Sequence, residues 1–213
     1  MELLILERKS MSSMVTNRNK VTDYQQTIFA LVKQKNDPSK HLNLGCGMKF
    51  TEGFTNVDKY VSHPSIVNYD MFKLPYPDNS IELIYSSHSL EHLPIRHAKM
   101  ALEEWHRVLN RNGKLVLLVP DLNAIMTKLL DDEYLSDSDY DWYQYTLFGY
   151  QIDTEIFDSR LDHAVDPGQF HTCGFSKNKL KTILERLGFD IKQLFSYDGW
   201  RTPSIFVEAS KLQ

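Results

Sequence analysis

The apolar positions of this chain fall into two periods. Val21, Tyr24, Ile28, Leu31 and Val32 recur at helical spacing and predict a helix over 21–35, ended by Asn36-Asp37-Pro38. Short apolar runs follow at 41–44, 54–57, 65–69, 81–85 and 115–119. Glycine, proline or asparagine clusters separate several of them, which is how buried parallel strands read. Between the last two, Ala98, Ala101, Leu102, Trp105, Val108 and Leu109 share one face of a helix over 96–110, with Lys99, Glu103, Glu104 and Arg107 facing water. A second helix over 177–187 places Leu180, Ile183, Leu184 and Leu187 inside, with Gly188 as its C-terminal cap. Two β-like runs, 190–197 and 204–209, close the chain. Strands alternating with helices predict an α/β protein with three layers. The polar, aperiodic residues 1–20 are expected to form a flexible arm. That leaves 21–213 as a single domain, with an insert over about 122–173 between the fifth strand and the last helix.

Composition narrows the class. A chain of 213 residues suits one sizeable domain. No run approaches the roughly 18 apolar residues of a membrane span, and residues 1–7 are too short and too acidic for a secretory signal. Two cysteines, Cys46 and Cys173, offer neither a disulfide framework nor metal-ligand spacing. The expected location is therefore the cytoplasm. The net charge of −4 conceals an asymmetry: residues 131–170 hold eleven acids against Arg160 alone. No basic stripe is present to neutralise phosphates, so nucleic acid is not an expected partner, although a small nucleotide remains possible chemistry.

Three segments carry candidate chemistry. In His-Leu-Asn-Leu-Gly-Cys-Gly (41–47) a strand runs into a glycine turn, where the missing Cβ lets backbone N–H groups approach a ligand. Asp58 ends the next strand, where a carboxylate can accept both hydroxyls of a ribose. Only ten residues separate Gly47 from Asp58, against the longer interval of about twenty at a nicotinamide site. That counts against an NAD-dependent dehydrogenase. The third segment runs from Asp70-Met71 through Pro77-Asp78-Asn79 and a strand to Ser87-His88-Ser89-Leu90-Glu91-His92-Leu93.

Together with 101–115 (Ala-Leu-Glu-Glu-Trp-His-Arg-Val-Leu-Asn-Arg-Asn-Gly-Lys-Leu), these ordered motifs resemble the class I S-adenosylmethionine-dependent methyltransferases. They are most similar to the bacterial branch with Leu-Asn-Leu-Gly-Cys-Gly and Leu-Glu-His-Leu signatures. The resemblance is strong over 41–121 and weaker to the C-terminus. It implies a Rossmann-like fold with a seven-stranded, mostly parallel sheet whose last strand is antiparallel. It also implies S-adenosylmethionine as cofactor. Gly45, Cys46 and Gly47 would face its methionine part, Asp58 its ribose and Asp70 its adenine amine. Met71 would pack on the ring, and Ser87 and His88 would line the methionine end. The first motif departs from the pattern at two positions, Asn43 where an acid is usual and Met48 where a third glycine is usual, and the later motif has Arg111-Asn112-Gly113 for the usual Pro-Gly-Gly.

The acceptor must be covered by the insert, where Tyr140, Trp142, Tyr143, Tyr145, Phe148, Tyr150 and Phe157 mingle with acids. Aromatics with carboxylates suit a hydroxyl-rich small molecule, so the expected reaction is O-methylation of a sugar, glycan precursor or small metabolite. N- or C-methylation of a small molecule is the alternative among enzymes. A catalytically inactive cofactor-binding interaction module is the alternative outside them. His171, His163 and Asp121 are the candidate bases, His171 first, since histidine titrates near neutrality. No metal is expected: Asp121, His163, Asp166 and His171 could be ligands, but no tight spacing joins them. Glu91 and His92 form a tempting acid–base pair, read as the start of a helix, and the sequence is silent on oligomeric state.

Overall fold

A chain segment buried on both faces must satisfy its backbone in a sheet and find apolar partners on either side. Strand β1 (His41–Leu44) does so along its whole length. The computed structural model describes residues 2–35 (side chains from Asn17), 37–131, 136–149, 170–199 and 202–212. It contains a seven-stranded sheet with β2 (Thr55–Val57), β3 (Ile66–Val67), β4 (Ile81–Ser87), β5 (Leu109–Pro120), β6 (Phe189–Asp198) and β7 (Pro203–Lys211), ordered β3-β2-β1-β4-β5-β7-β6. The pairs from β3 to β5 are parallel, while β7 runs antiparallel to both β5 and β6. The expected mostly parallel sheet with an antiparallel last strand is the one observed.

Side chains alternate between two cores. On one face Leu42, Leu44, Ile84, Leu115, Leu117 and Val207 meet helix α2 (Ile95–Val108) through Ala98, Leu102 and Trp105. The same face meets α5 (Lys177–Arg186) through Leu180 and Leu184. On the other, Leu83, Tyr85, Val116, Leu118 and Phe206 meet helix α1 (Glu2–Lys35) through Val21, Ile28 and Val32. This makes the three layers. The predicted helix over 21–35 is the C-terminal part of a longer one, since α1 continues through the residues expected to form an arm. The apolar positions at helical spacing begin at Val21, so the periodicity marks only that part of α1. The predicted strand over 65–69 is shorter than expected, because only Ile66 and Val67 pair with β2. Beyond β5 the insert forms α3 (Leu122–Leu130) and α4 (Asp137–Phe148).

Chain order decides where a site can form. From β1 the chain steps outward to β2 and β3, then returns to β4 on the other side of β1. The loops leaving β1 and β4 therefore part in opposite directions and open a crevice at the carboxyl ends of the strands. Helix α2 fixes the long connection into β4. Trp105 donates its indole N–H to the Met71 carbonyl at 2.9 Å. Arg107 joins Glu104 and Asp78 while donating to the carbonyls of Leu74 and Tyr76.

Candidate active site

The two motif glycines after β1 have different surroundings. Gly45 has φ +66° and Gly47 φ +52°, so both sit in the left-handed region. A Cβ on Gly45 would lie 2.2 Å from Ser89 Cβ and 3.2 Å from Met71 Sδ. Its N–H and that of Cys46 donate to the Val57 carbonyl at 2.8 and 3.1 Å. Gly45 is thus demanded by packing of β1 against the loop after β4. Around Gly47 nothing lies within 4 Å of a Cβ position, so this residue borders open space. Cys46 is buried, and burial next to Asp58 pushes its thiol up to about 12.

Asp58 follows β2 directly. Its Oδ2 accepts the Gly47 N–H at 2.9 Å, and Oδ1 accepts the N–H groups of Tyr60 and Val61 at 2.9 and 3.1 Å. A carboxylate has about four acceptor sites, so capacity for hydroxyl donors remains. Asp70 pairs with Lys59 at 2.8 Å. Ser87 ends β4, and His88 follows in the left-handed region at φ +52° with its side chain 39% exposed. The buried Asn43 explains the departure from an acid at that position. Its side-chain N–H₂ donates to Asn56 Oδ1 at 2.9 Å and to the Lys49 carbonyl at 3.2 Å, and a carboxylate has no proton to donate to either. It ties the glycine turn to β2.

At the carboxyl edge, then, stand two acids with acceptor capacity, an open glycine position, the Met71 thioether and a hydroxyl–imidazole pair. These groups fit an adenosyl sulfonium: acids to accept from ribose and adenine donors, an apolar surface for the ring, and space where the chain turns. A cavity of about 350 Å³ between α1 and the sheet contains none of these residues. It is lined by His41, Glu82 and Lys114 among others, at the opposite, amino ends of the strands, and belongs to the α1 packing.

Beside His88 lies a group that linear reading did not assemble. The short helical turn Leu90–His92 buries Glu91 to 1% exposure. His88 Nδ1 is 3.4 Å from Glu91 Oε1 and His171 Nε2 is 4.0 Å from it, yet neither carboxylate oxygen makes a hydrogen bond. His171 reaches this spot from the end of the insert, held by its N–H to the Phe148 carbonyl. Its Nδ1 lies 2.6 Å from the Thr146 carbonyl of α4. His92 lies edge-on to His171 with ring centroids 4.7 Å apart, and its Nδ1 is 3.2 Å from the Phe170 carbonyl. Carbonyl oxygens only accept, so both Nδ1 atoms carry a proton, and in the neutral ring the lone pair sits on Nε2. Burial pushes the Glu91 carboxyl up, but the imidazoles of His88, His92 and His171 more than reverse this and leave it below its usual range. Burial in turn holds His171 below its ordinary value, against the pull of Glu91. A neutral His171 gives the buried carboxylate a dipole and no full counter-charge.

The other candidate bases lie apart from this group. Asp121 is buried as the N-cap of α3, where Oδ1 accepts from Asn123 and Ala124 and Oδ2 takes the Ser196 hydroxyl at 2.6 Å. His163, like Asp166, Tyr150 and Phe157, lies outside the described residues.

Residues 46–117 match the family model of a methyltransferase domain. No curated protein matches the chain. Among solved structures the chain is similar to an S-adenosylmethionine-dependent methyltransferase from Methanosarcina mazei, at TM-score 0.58 and 17% identity over 83% of this chain and 93% of that one. It is also similar to the 1,6-didemethyltoxoflavin-N1-methyltransferase of Burkholderia thailandensis, solved with 1,6-didemethyltoxoflavin and S-adenosylhomocysteine. There the TM-score is 0.54 at 15% identity over 100% and 89%. Magnesium protoporphyrin IX methyltransferase from Synechocystis, solved with S-adenosylhomocysteine, gives 0.52 at 14% over 88% and 83%. At these identities the solved structures speak for the fold, and the family match for residues 46–117. The chain thus carries a methyltransferase-domain match over residues 46–117 within a fold that it shares with S-adenosylmethionine-dependent methyltransferases.

Proposed function

We propose that this enzyme methylates a hydroxyl oxygen of a small acceptor, such as a sugar, glycan precursor or small metabolite, in the cytosol. The observation that carries the proposal is the enclosed polar group of Glu91, His92 and His171, next to Ser87 and His88 at the end of β4. Bound S-adenosylmethionine supplies a methyl carbon activated by its sulfonium. The chain then has two tasks, alignment and acceptor activation. Alignment alone contributes about 7–11 kcal/mol in well-oriented reactions. On this reading Gly47, Asp58, Asp70 and Met71 hold the adenosyl portion, and Ser87 and His88 line the methionine portion.

Activation separates oxygen from nitrogen. A neutral amine already offers its lone pair, whereas a hydroxyl gains about 10²–10⁴-fold from assisted proton removal. His171 suits that work: its Nδ1–H is spent on Thr146 and its Nε2 lone pair is turned toward the Glu91 side. The insert supports the same reading, because α4 supplies the carbonyl that orients His171 and exposes Tyr140 and Phe148 nearby in sequence for an apolar sugar face. Two unpaired cysteines fit a reducing compartment, and no described helix is long and apolar enough to cross a membrane.

His171→Ala tests the proposal. Calorimetry is expected to return an S-adenosylmethionine affinity within about twofold of wild type, with turnover on hydroxylated acceptors lowered at least about tenfold. Unchanged turnover would exclude His171. Cofactor binding by the wild type without turnover on any acceptor of a broad panel would favour an interaction module instead.

A further inference from the structure

Glu91 is a carboxylate buried to 1% exposure with both oxygens unsatisfied, and such a group is costly unless a positive partner completes it. Arg and Lys side chains are absent from its partners among the described residues; only imidazoles face it. One ligand atom each from Glu91, His92 and His171 lies within 4.8 Å of the others. We propose that Glu91, His92 and His171 form a binding site for a divalent first-row transition metal, of which zinc is the natural probe.

Three features beyond proximity support it. Both histidines donate Nδ1–H to a backbone carbonyl, of Phe170 and of Thr146, which leaves Nε2 as the lone-pair atom. That outer hydrogen bond is the usual support of an imidazole ligand, fixing its tautomer and ring orientation. Two imidazoles and one carboxylate form the donor set of catalytic zinc and of related open sites, and nitrogen ligands select against magnesium. Glu91 also carries its ligand atoms on a turn pinned from behind, since its carbonyl accepts the N–H groups of Thr172 and Cys173. The same two bonds tie the segment bearing His171 to the turn bearing Glu91 and His92. A metal about 2.0–2.2 Å from each donor would draw the three inward by roughly an ångström, which side-chain torsions can absorb.

The expectation of no metal rested on linear spacing, whereas this set is drawn from the turn after β4 and the far end of the insert. The inference rests on the hydroxyl-acceptor reading above but replaces the direct-base role of His171, since one Nε2 lone pair cannot both bind an ion and take a proton. Three protein ligands leave a coordination position open, and a hydroxyl bound there loses its proton more readily. Under this proposal His171 activates the acceptor by holding the ion.

The test is direct binding, read independently of turnover. Full-length enzyme dialysed against a chelator is titrated calorimetrically with zinc chloride, and separately with magnesium chloride. The expected result is one zinc per chain and no magnesium heat. Affinity should fall at least about 100-fold in Glu91→Gln and in a His92→Ala/His171→Ala double variant. His97→Ala, whose ring stacks on Phe72 away from the cluster, is expected to bind zinc as the wild type does. Should Glu91→Gln not fold, the double histidine variant decides alone. Zinc bound equally well by the double variant, or no zinc bound by folded wild type, overturns the site. Zinc bound and lost in the variants supports it even where no hydroxylated acceptor turns over, an outcome that sinks the acceptor reading alone.

Discussion

Gly45 and Gly47 share a backbone conformation and a motif, yet a methyl group added to each meets opposite conditions. At Gly45 it strikes Ser89 at 2.2 Å, and the left-handed backbone adds its own penalty. Overpacking costs about 1–3 kcal/mol and a left-handed L-residue about 1–2 kcal/mol. Gly45→Ala should therefore lower unfolding free energy by about 2–5 kcal/mol in a denaturant titration. Gly47→Ala meets no atom, so its stability loss should stay near the backbone penalty of about 1–2 kcal/mol. Its effect should show instead in weaker S-adenosylmethionine binding by calorimetry, since the methyl occupies the open space. Equal stability losses for the two would contradict this division. The glycine motif was legible in the sequence, but the reason for its first glycine was not. Ser89 lies 44 positions further on and says nothing of Gly45 until β1 and β4 pair.

Asp121 shows how an element can claim a residue that chemistry seems to want. A strand-end acid just before a polar insert is a fair candidate base. In the fold its two oxygens close the first turn of α3 and hold Ser196 on β6. Loss of a helix N-cap costs about 0.5–2 kcal/mol. Asp121→Ala is accordingly expected to lower the melting temperature while the enzyme that remains folded keeps wild-type turnover per active site, counted by titrating bound cofactor. A loss of turnover of a hundredfold or more without a change in melting would restore it as a base. The long amphipathic pattern of α2 was legible nearly to its ends, predicted over 96–110 and observed over Ile95–Val108, because every third or fourth residue packs on the sheet. The N-terminal turns of α1 were not, since Leu3, Leu4, Ile5 and Leu6 stand side by side and not at helical spacing; nor was the brevity of β3, whose pairing stops at Val67. Nor was the Glu91–His92–His171 group. Each residue reads as ordinary in its own segment, and only the return of the insert to the end of β4 joins them.

Across the whole molecule, the strand order makes the proposed donor site a property of the assembled sheet. Gly47, Asp58 and Asp70 come from one side of the crevice, and Ser87 and His88 from the other. An unfolded chain offers no such site, so cofactor binding must add to global stability. At a free concentration one hundred times its dissociation constant, a ligand bound only to the native state contributes about 2.7 kcal/mol. For a chain of this size each kcal/mol moves the melting temperature by about 2–4 °C, so S-adenosylmethionine should raise it by about 5–11 °C. Asp58→Asn keeps an acceptor oxygen for the Tyr60 and Val61 N–H groups, turns an N–H₂ toward the Gly47 N–H, and removes the charge that the proposed site offers a ribose. If that weakens binding tenfold, the contribution at the same ligand concentration falls to about 1.4 kcal/mol. The thermal shift of this variant should then be about half that of the wild type. NADH at equal concentration should give no shift, because the short interval between Gly47 and Asp58 leaves no room for the crossover helix on which a dinucleotide pyrophosphate rests. A wild-type shift with NADH as large as that with S-adenosylmethionine would mean that the crevice recognises adenosine alone, with the sulfonium end contributing nothing.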